Sequence, residues 1–232
     1  MEYICIIIIS LVSLLILALI YPIRINEIKK VKEIGFSKEL NKITDKFPEN
    51  KEVCDQILKK LNNNRDVKVV SDETAKASLY IVATNTISIA NIKESFTRIQ
   101  TIAHECIHSM QDKKMLIFNF VFSNIYLLYF LCICILTFFG KVGNTMLQVF
   151  ILTMFSFIYY KVRSYLETDA MTRAPYVAKE YIEKSNCLEK EEIDIVMENY
   201  DTINNIGIKI ANFELFAKCI LKIIIYCVIC LI

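Results

Sequence analysis

The chain has 232 residues, 55% of them hydrophobic, and a mean hydropathy of +0.42, which is too apolar for an ordinary soluble domain. Four glycines and three prolines exclude collagen-like, linker-rich and low-complexity chains. Lys+Arg 27 against Asp+Glu 25 leaves a net charge of +2, so there is no bulk basic field for nucleic acid and no nucleic-acid partner is expected.

The hydrophobicity is concentrated in blocks. Residues 4–21, 115–139 and 145–160 carry no charge, and 215–232 carries only Lys218 and Lys222. A hydrocarbon layer of about 30 Å needs roughly 20 helical residues. The first two blocks span it comfortably, the third is short and the fourth bears lysines; the expected total is four. The fold class is therefore a mainly α, multi-pass helical membrane protein, with the lipid bilayer as one partner. Residues 4–21 read as a retained transmembrane anchor: no basic side chain precedes them, and 18–22 lacks an A-x-A-like cleavage site. Arg24, Lys29, Lys30, Lys32 and Lys38 follow the anchor, Lys113 and Lys114 precede the second block, and Lys161 and Arg163 follow the third. The positive-inside rule then places 24–114 and 161–214 in the cytoplasm. A transmembrane helical hairpin, 115–160, turns at Gly140 and Gly143 between them, and 215–232 is the fourth span.

In segment 24–114, residues 26–47 and 51–61 show helical periodicity, with Ile57, Leu58 and Leu61 on one face. Residues 62–66 form a polar turn cluster, and 67–70 read as a strand. Residues 79–83 and 86–90 alternate at period two around Thr84-Asn85, which predicts a hairpin. Strand 86–90 is either a plain hairpin strand or a seat for an added substrate strand. Asn91 with Glu94 suggests an N-cap pair opening a helix over 92–112. These elements make a small cytoplasmic α+β core, a short hairpin followed by a helix. Residues 161–214 read as helical, with a solvated acidic start at 189–194. Six of the nine cysteines lie in apolar blocks, and Cys54, Cys106 and Cys187 face a reducing compartment, so no disulfide is expected. Lys218 and Lys222 are expected to snorkel to headgroups, and Asn119, Asn124 and Gln148 to join helices.

The predicted 92–112 helix carries His104-Glu105-Cys106-Ile107-His108, an H-E-x-x-H built from the only two histidines in the chain. Histidines at i and i+4 stand one above the other on a helix face, so both imidazoles reach one Zn²⁺. Glu105, between them, is placed to take a proton from a zinc-activated water. A catalytic zinc needs a third protein ligand, here a carboxylate or thiolate on the same side of the membrane. Residues 165–174 offer Glu167 and Asp169, which face opposite sides of a helix, so only one of them can reach the metal. Arg173 gives Asp169 a partner at i+4 and Arg163 gives Glu167 one, so helix geometry leaves the choice open, with Glu180, Glu183 or a thiolate as further candidates.

His104-Glu-Cys-Ile-His-Ser-Met-Gln111 resembles the H-E-x-G-H-A-x-Q of the neutral zinc metallopeptidase family of bacterial membranes (YugP-like proteins), and Glu167-Thr-Asp-Ala-Met-Thr-Arg-Ala174 resembles its E-F-D-A-x-x-R-A segment. An apolar hairpin separates the two motifs in both. The pair also resembles the wider membrane gluzincin group, whose ligand segment reads E-x-x-A-D. The resemblance implies a membrane-bound zinc-dependent endopeptidase with His104, His108 and Glu167 as metal ligands, Glu105 as the catalytic base, and a peptide or protein substrate, membrane-associated ones among them. Two positions depart from the pattern: Ile107 stands where the family has glycine, and Met171 where the wider group has the Asp that orients a ligand histidine. Two other readings belong to different classes. One is a catalytically inactive membrane scaffold of the same fold, which would hold no zinc. The other is a small transporter, which would need Lys222 to face water.

Overall fold

The computed structural model describes residues 1–21, 24–63, 65–75 and 77–232, and the chain divides into two compact units. One comprises Met1–Ile23, Ile117–Tyr165 and Lys209–Ile232; the other comprises Arg24–Leu116 and Leu166–Ile208.

The first unit is helical. It contains α1 (Glu2–Ile20), most of α6 (Lys113–Phe138), the first half of α7 (Thr145–Ser185) and the end of α8 (Lys190–Ile229). Among the described residues α1, α6 and α7 are long and apolar enough to cross a membrane. The stretch 215–232 overlaps the end of α8, and Glu214, Lys218 and Lys222 set it apart from those three. Gly140, at φ +65°, supports the sharp turn between α6 and α7. Leu152, Tyr226 and Cys227 form the centre of the packing. Hydroxyls bridge the helices: Tyr126 to Ser156 at 2.6 Å, Thr137 to Tyr226 at 3.0 Å, and Tyr129 donating to Gln148 at 2.7 Å. Gln148 thus joins helices as expected, whereas the Asn124 amide donates within its own helix to Phe120. Both lysines have partners within the unit. Lys218 pairs with Glu214 at 2.6 Å, and the Lys222 ammonium lies 3.8 Å above the centre of the Tyr126 ring, in cation–π contact with it.

The second unit is α+β. Its helices are α2 (Ile25–Gly35), α3 (Lys38–Thr44), α4 (Asn50–Lys60) and α5 (Arg98–Met110), with the second half of α7 and the first half of α8. The expected single helix over 26–47 is broken at Phe36, because the Ser37 hydroxyl accepts from Leu40 N–H and caps α3. The strands are β1 (Lys68–Asp72), β2 (Leu79–Ile81) and β3 (Thr86–Ala90), in the order β1-β3-β2. The hairpin of β2 and β3 forms as expected, with Asn85 at φ +50° in its turn. β1 pairs parallel to β3, from Lys68 opposite Thr86 to Asp72 opposite Ala90. β3 is therefore central among the described strands, which decides between the two readings of 86–90 in favour of a plain hairpin strand; β2 is the edge strand beside it. In the polar turn cluster Asn62 and Asp66 adopt positive φ, and Asn64 lies outside the described residues.

α5 begins six residues later than the capping pattern suggested. Residues 91–97 form successive turns (Ser95 N–H to Ile92 O, Arg98 N–H to Ser95 O), and Thr97 occupies the N-cap position. Tertiary packing explains the delay. Phe96 is fully buried against Tyr200, with ring centres 5.1 Å apart, and the buried Arg98 guanidinium donates to the carbonyls of Phe47 and Pro48. The core has readable periods. On α5 the buried face is Ile99, Ile102, Ala103, Cys106 and Ile107; on α7 it is Ala170, Ala174, Ala178 and Ile182, one residue every helical turn. Each isoleucine removed from water there contributes about 1.5–3 kcal/mol. All nine cysteines are free thiols, and Cys54 and Cys106 touch in the core with their sulfurs 3.6 Å apart.

Candidate metal centre

α5 buries its apolar face in the core, and the remaining stripe carries His104 and His108. Their rings meet edge to face, 4.6 Å between centres, with the two Nε2 atoms 3.0 Å apart. α7 brings Glu167 opposite them. Its Oε2 lies 3.5 Å from His104 Nε2 and its Oε1 3.6 Å from His108 Nε2, and one ligand atom from each of the three residues falls within 4.8 Å of the others. These distances test whether a metal fits. Ligand atoms 2.0–2.1 Å from a tetrahedral ion lie about 3.3–3.4 Å from one another. The imidazole separation of 3.0 Å and the carboxylate approaches of 3.5 and 3.6 Å, made by its two different oxygens, lie near that value, and one ligand atom from each residue falls within 4.8 Å of the others, so the three side chains could hold a metal ion. Two imidazoles and one carboxylate also match a ligand set found in catalytic zinc sites.

The other expected candidates are engaged elsewhere. Asp169 pairs with Arg173 at 3.4 Å, as its i+4 spacing suggested. Glu180 pairs with Lys60 and Lys184, and Glu183 with Lys179. Cys106 points into the core toward Cys54, and burial holds its thiol well above the usual range.

Gln111 sets the orientation of His108. Its amide nitrogen donates to the Leu166 carbonyl and to Asp169 Oδ2, both at 2.8 Å, so its oxygen turns to His108 Nδ1, also at 2.8 Å. Nδ1 then carries the hydrogen, and the Nε2 lone pair faces Glu167 and His104. Gln111 is 6% exposed, which keeps this arrangement away from water. The group that orients the histidine is thus an amide held by Asp169, and Met171, where the wider gluzincin pattern has Asp, is not needed for it. Arg65 fixes the end of the helix by donating to the carbonyls of Ser109 at 2.8 Å and Gln111 at 2.6 Å, satisfying acceptors that α5 leaves open.

Glu105 lies between the two histidines in sequence and is 7% exposed. Its Oε2 accepts a hydrogen bond from the backbone N–H of Tyr80 on β2, at 2.7 Å. Burial pushes its carboxyl above the usual range, against the opposing effects of His104, His108 and that N–H. For His108, burial works to lower the imidazole, but Glu167 and Glu105 outweigh it and hold it above its usual value.

The sequence motif identified His104, Glu105, His108 and Glu167; the structure groups His104, His108 and Glu167, and holds Glu105, the next residue of α5, against Tyr80. It did not reveal the roles of Tyr80 or Asp169. Gln111 belonged to the motif, but its role follows only from the packing of α5 beside Leu166; the available signal was its position three residues after His108. Compared with protein-family models, with curated proteins and with solved structures, the chain matches none.

Proposed function

We propose that the protein is a membrane-bound, zinc-dependent endopeptidase that hydrolyses peptide bonds in peptide or protein substrates. The observation that carries the proposal is the convergence of His104 Nε2, His108 Nε2 and the Glu167 carboxylate, with the Glu105 carboxylate on the next residue of the same helix. The motif pair's likeness to the neutral zinc metallopeptidases supports the same reading. His104, His108 and Glu167 would hold the zinc, which, when bound, supplies Lewis acidity toward a water and the scissile carbonyl. Gln111 keeps His108 in the tautomer that leaves Nε2 free. Glu105 accepts the proton of the attacking water and passes it to the leaving amine; a carboxyl raised by burial lies closer to neutral pH, where both transfers are efficient. β2 is the edge strand beside Glu105, where an extended substrate would meet the backbone already engaged at the Tyr80 N–H. The distribution of lysine and arginine supports a cell-membrane location with this site on the cytoplasmic side.

Metal analysis of the purified chain, run beside His104→Ala, tests the metal; peptide cleavage by Glu105→Gln tests the base. Glu105→Gln is expected to keep its zinc and lose about 10²–10⁴-fold in cleavage rate, and His104→Ala to lose both. Undiminished cleavage by Glu105→Gln would sink the mechanism, and wild-type protein without zinc would sink the enzyme.

A further inference from the structure

The group formed by His104, His108 and Glu167 borders a cavity of about 310 Å³. α5 contributes Gln100 and His104 to its wall, α7 contributes Glu167 and Met171, and α8 contributes Asn204 and Gly207. The volume lies at the low end of the ~300–1,000 Å³ typical of ligand pockets, so it suits one large side chain and is too small for a length of peptide. Two of its walls are metal-ligand candidates, so an occupant sits directly beside the reacting atoms.

The chemistry of the lining narrows the occupant. Among the described lining residues the one carboxylate is Glu167, a metal-ligand candidate; beside it stand the His104 imidazole, amide and hydroxyl groups and apolar side chains. An aspartate entering here would face the Glu167 carboxylate, and a lysine would have to take that carboxylate from the metal, so either charge is desolvated at a cost. The polar part of the wall is an amide pair, Gln100 Nε2 donating to Asn204 Oδ1 at 3.3 Å, and the Gln100 carbonyl oxygen is buried without a hydrogen-bond partner. The apolar part depends on Gly207. A Cβ at this position would come within 3.0 Å of the Met171 methyl, so the glycine leaves the flexible Met171 side chain its present room along the cavity.

We propose, building on the peptidase reading, that this cavity receives the side chain of the substrate residue next to the scissile bond and selects a bulky, uncharged one, aromatic or long aliphatic, with Gly207 and Met171 setting its size limit. Binding a large apolar side chain transfers it out of water, which is worth at least roughly ten-fold in affinity over a methyl group. Charge offers no compensation here, so acidic and basic side chains rank below both.

The test uses the full-length, zinc-loaded protein in detergent and a series of dipeptide hydroxamates, whose chelating end anchors at the metal. The side chain next to the hydroxamate is Phe, Leu, Ala, Asp or Lys. Calorimetry is expected to show the Phe and Leu compounds binding at least about ten-fold tighter than the Ala compound, with the Asp and Lys compounds weakest. Gly207→Leu should reduce the advantage of Phe over Ala to about two-fold or less while zinc content and Ala-compound affinity hold. Met171→Ala, which adds no bulk and keeps the test open if Gly207→Leu fails to fold, should admit a naphthyl side chain that the wild type rejects. Equal affinities across the series with zinc bound would overturn the cavity's role and leave the peptidase reading standing. A wild-type protein that binds no zinc would overturn both.

Discussion

Replacing Gln111 by alanine separates metal-site orientation from ordinary packing. The amide makes three hydrogen bonds of 2.8 Å, to His108 Nδ1, the Leu166 carbonyl and Asp169 Oδ2, in a position 6% exposed. Without it, His108 can present either nitrogen to the metal and its ring can rotate. Loss of such an outer partner typically costs 10–100-fold in metal affinity, about 1.4–2.7 kcal/mol. The fold loses something too. A buried group left unpaired costs about 1–3 kcal/mol, but Asp169 keeps Arg173, so we expect about 2 kcal/mol of destabilisation in the metal-free protein. Zinc competition against a chromophoric chelator reads the first quantity, and denaturant unfolding of the apo protein in detergent reads the second. The expected pattern is a weakened zinc site together with a modest loss of stability. Wild-type zinc affinity in a destabilised Gln111→Ala protein would refute the orienting role and reduce Gln111 to a packing residue.

Glu167→Gln should weaken zinc binding by far more than Gln111→Ala, whereas Asp169→Asn keeps an acceptor for the Gln111 amide and should stay within about three-fold of wild type; the same chelator competition ranks the three, and the reverse order would move the ligand to Asp169. Ile107 is fully buried in the core, so Ile107→Ala should cost about 2–5 kcal/mol in denaturant unfolding, and a cost below 1 kcal/mol would contradict the packing of α5. With native cysteines removed, single cysteines near Lys60 and near Asn186 should resist an impermeant thiol reagent in intact cells, and one in the 140–143 turn should react; labelling near Lys60 would overturn the cytoplasmic assignment.

What could be read from the sequence was what repeats locally. The apolar blocks became α1, α6 and α7 because an uninterrupted run of uncharged side chains has little alternative to a long helix. The hairpin of β2 and β3 followed from period-two alternation around a residue pair suited to a turn. The two histidines and Glu105 were legible because a metal site on one helix is itself a local pattern, and Glu167 because its segment resembled a known companion motif. What escaped depends on contacts between distant stretches. The parallel pairing of β1 with β3 leaves no mark in either strand, yet it moves the free edge from β3 to β2. The start of α5 is set by Phe96 and Arg98 meeting residues 47, 48 and 200, and a plausible capping pair upstream could not compete with that burial. Gln111 stood in a motif and Asp169 was a ligand candidate, but their joint hold on His108 appears only once α7 is brought beside the end of α5.

The hydrogen bond from Tyr80 to Glu105 has a mechanical consequence. β2 is three residues long and is held to the sheet by β3 alone, which makes it the strand with the least backing. The buried Glu105 carboxylate is thus steadied by a three-residue edge strand. A peptide laid along the open side of β2 would brace that strand, so the arrival of a substrate and the steadying of the base would be one event. Slackening the turn at 82–85 would have the opposite effect: Glu105 would lose its aim while His104, His108 and Glu167 kept their mutual distances. Such a protein would take up metal normally and turn over poorly.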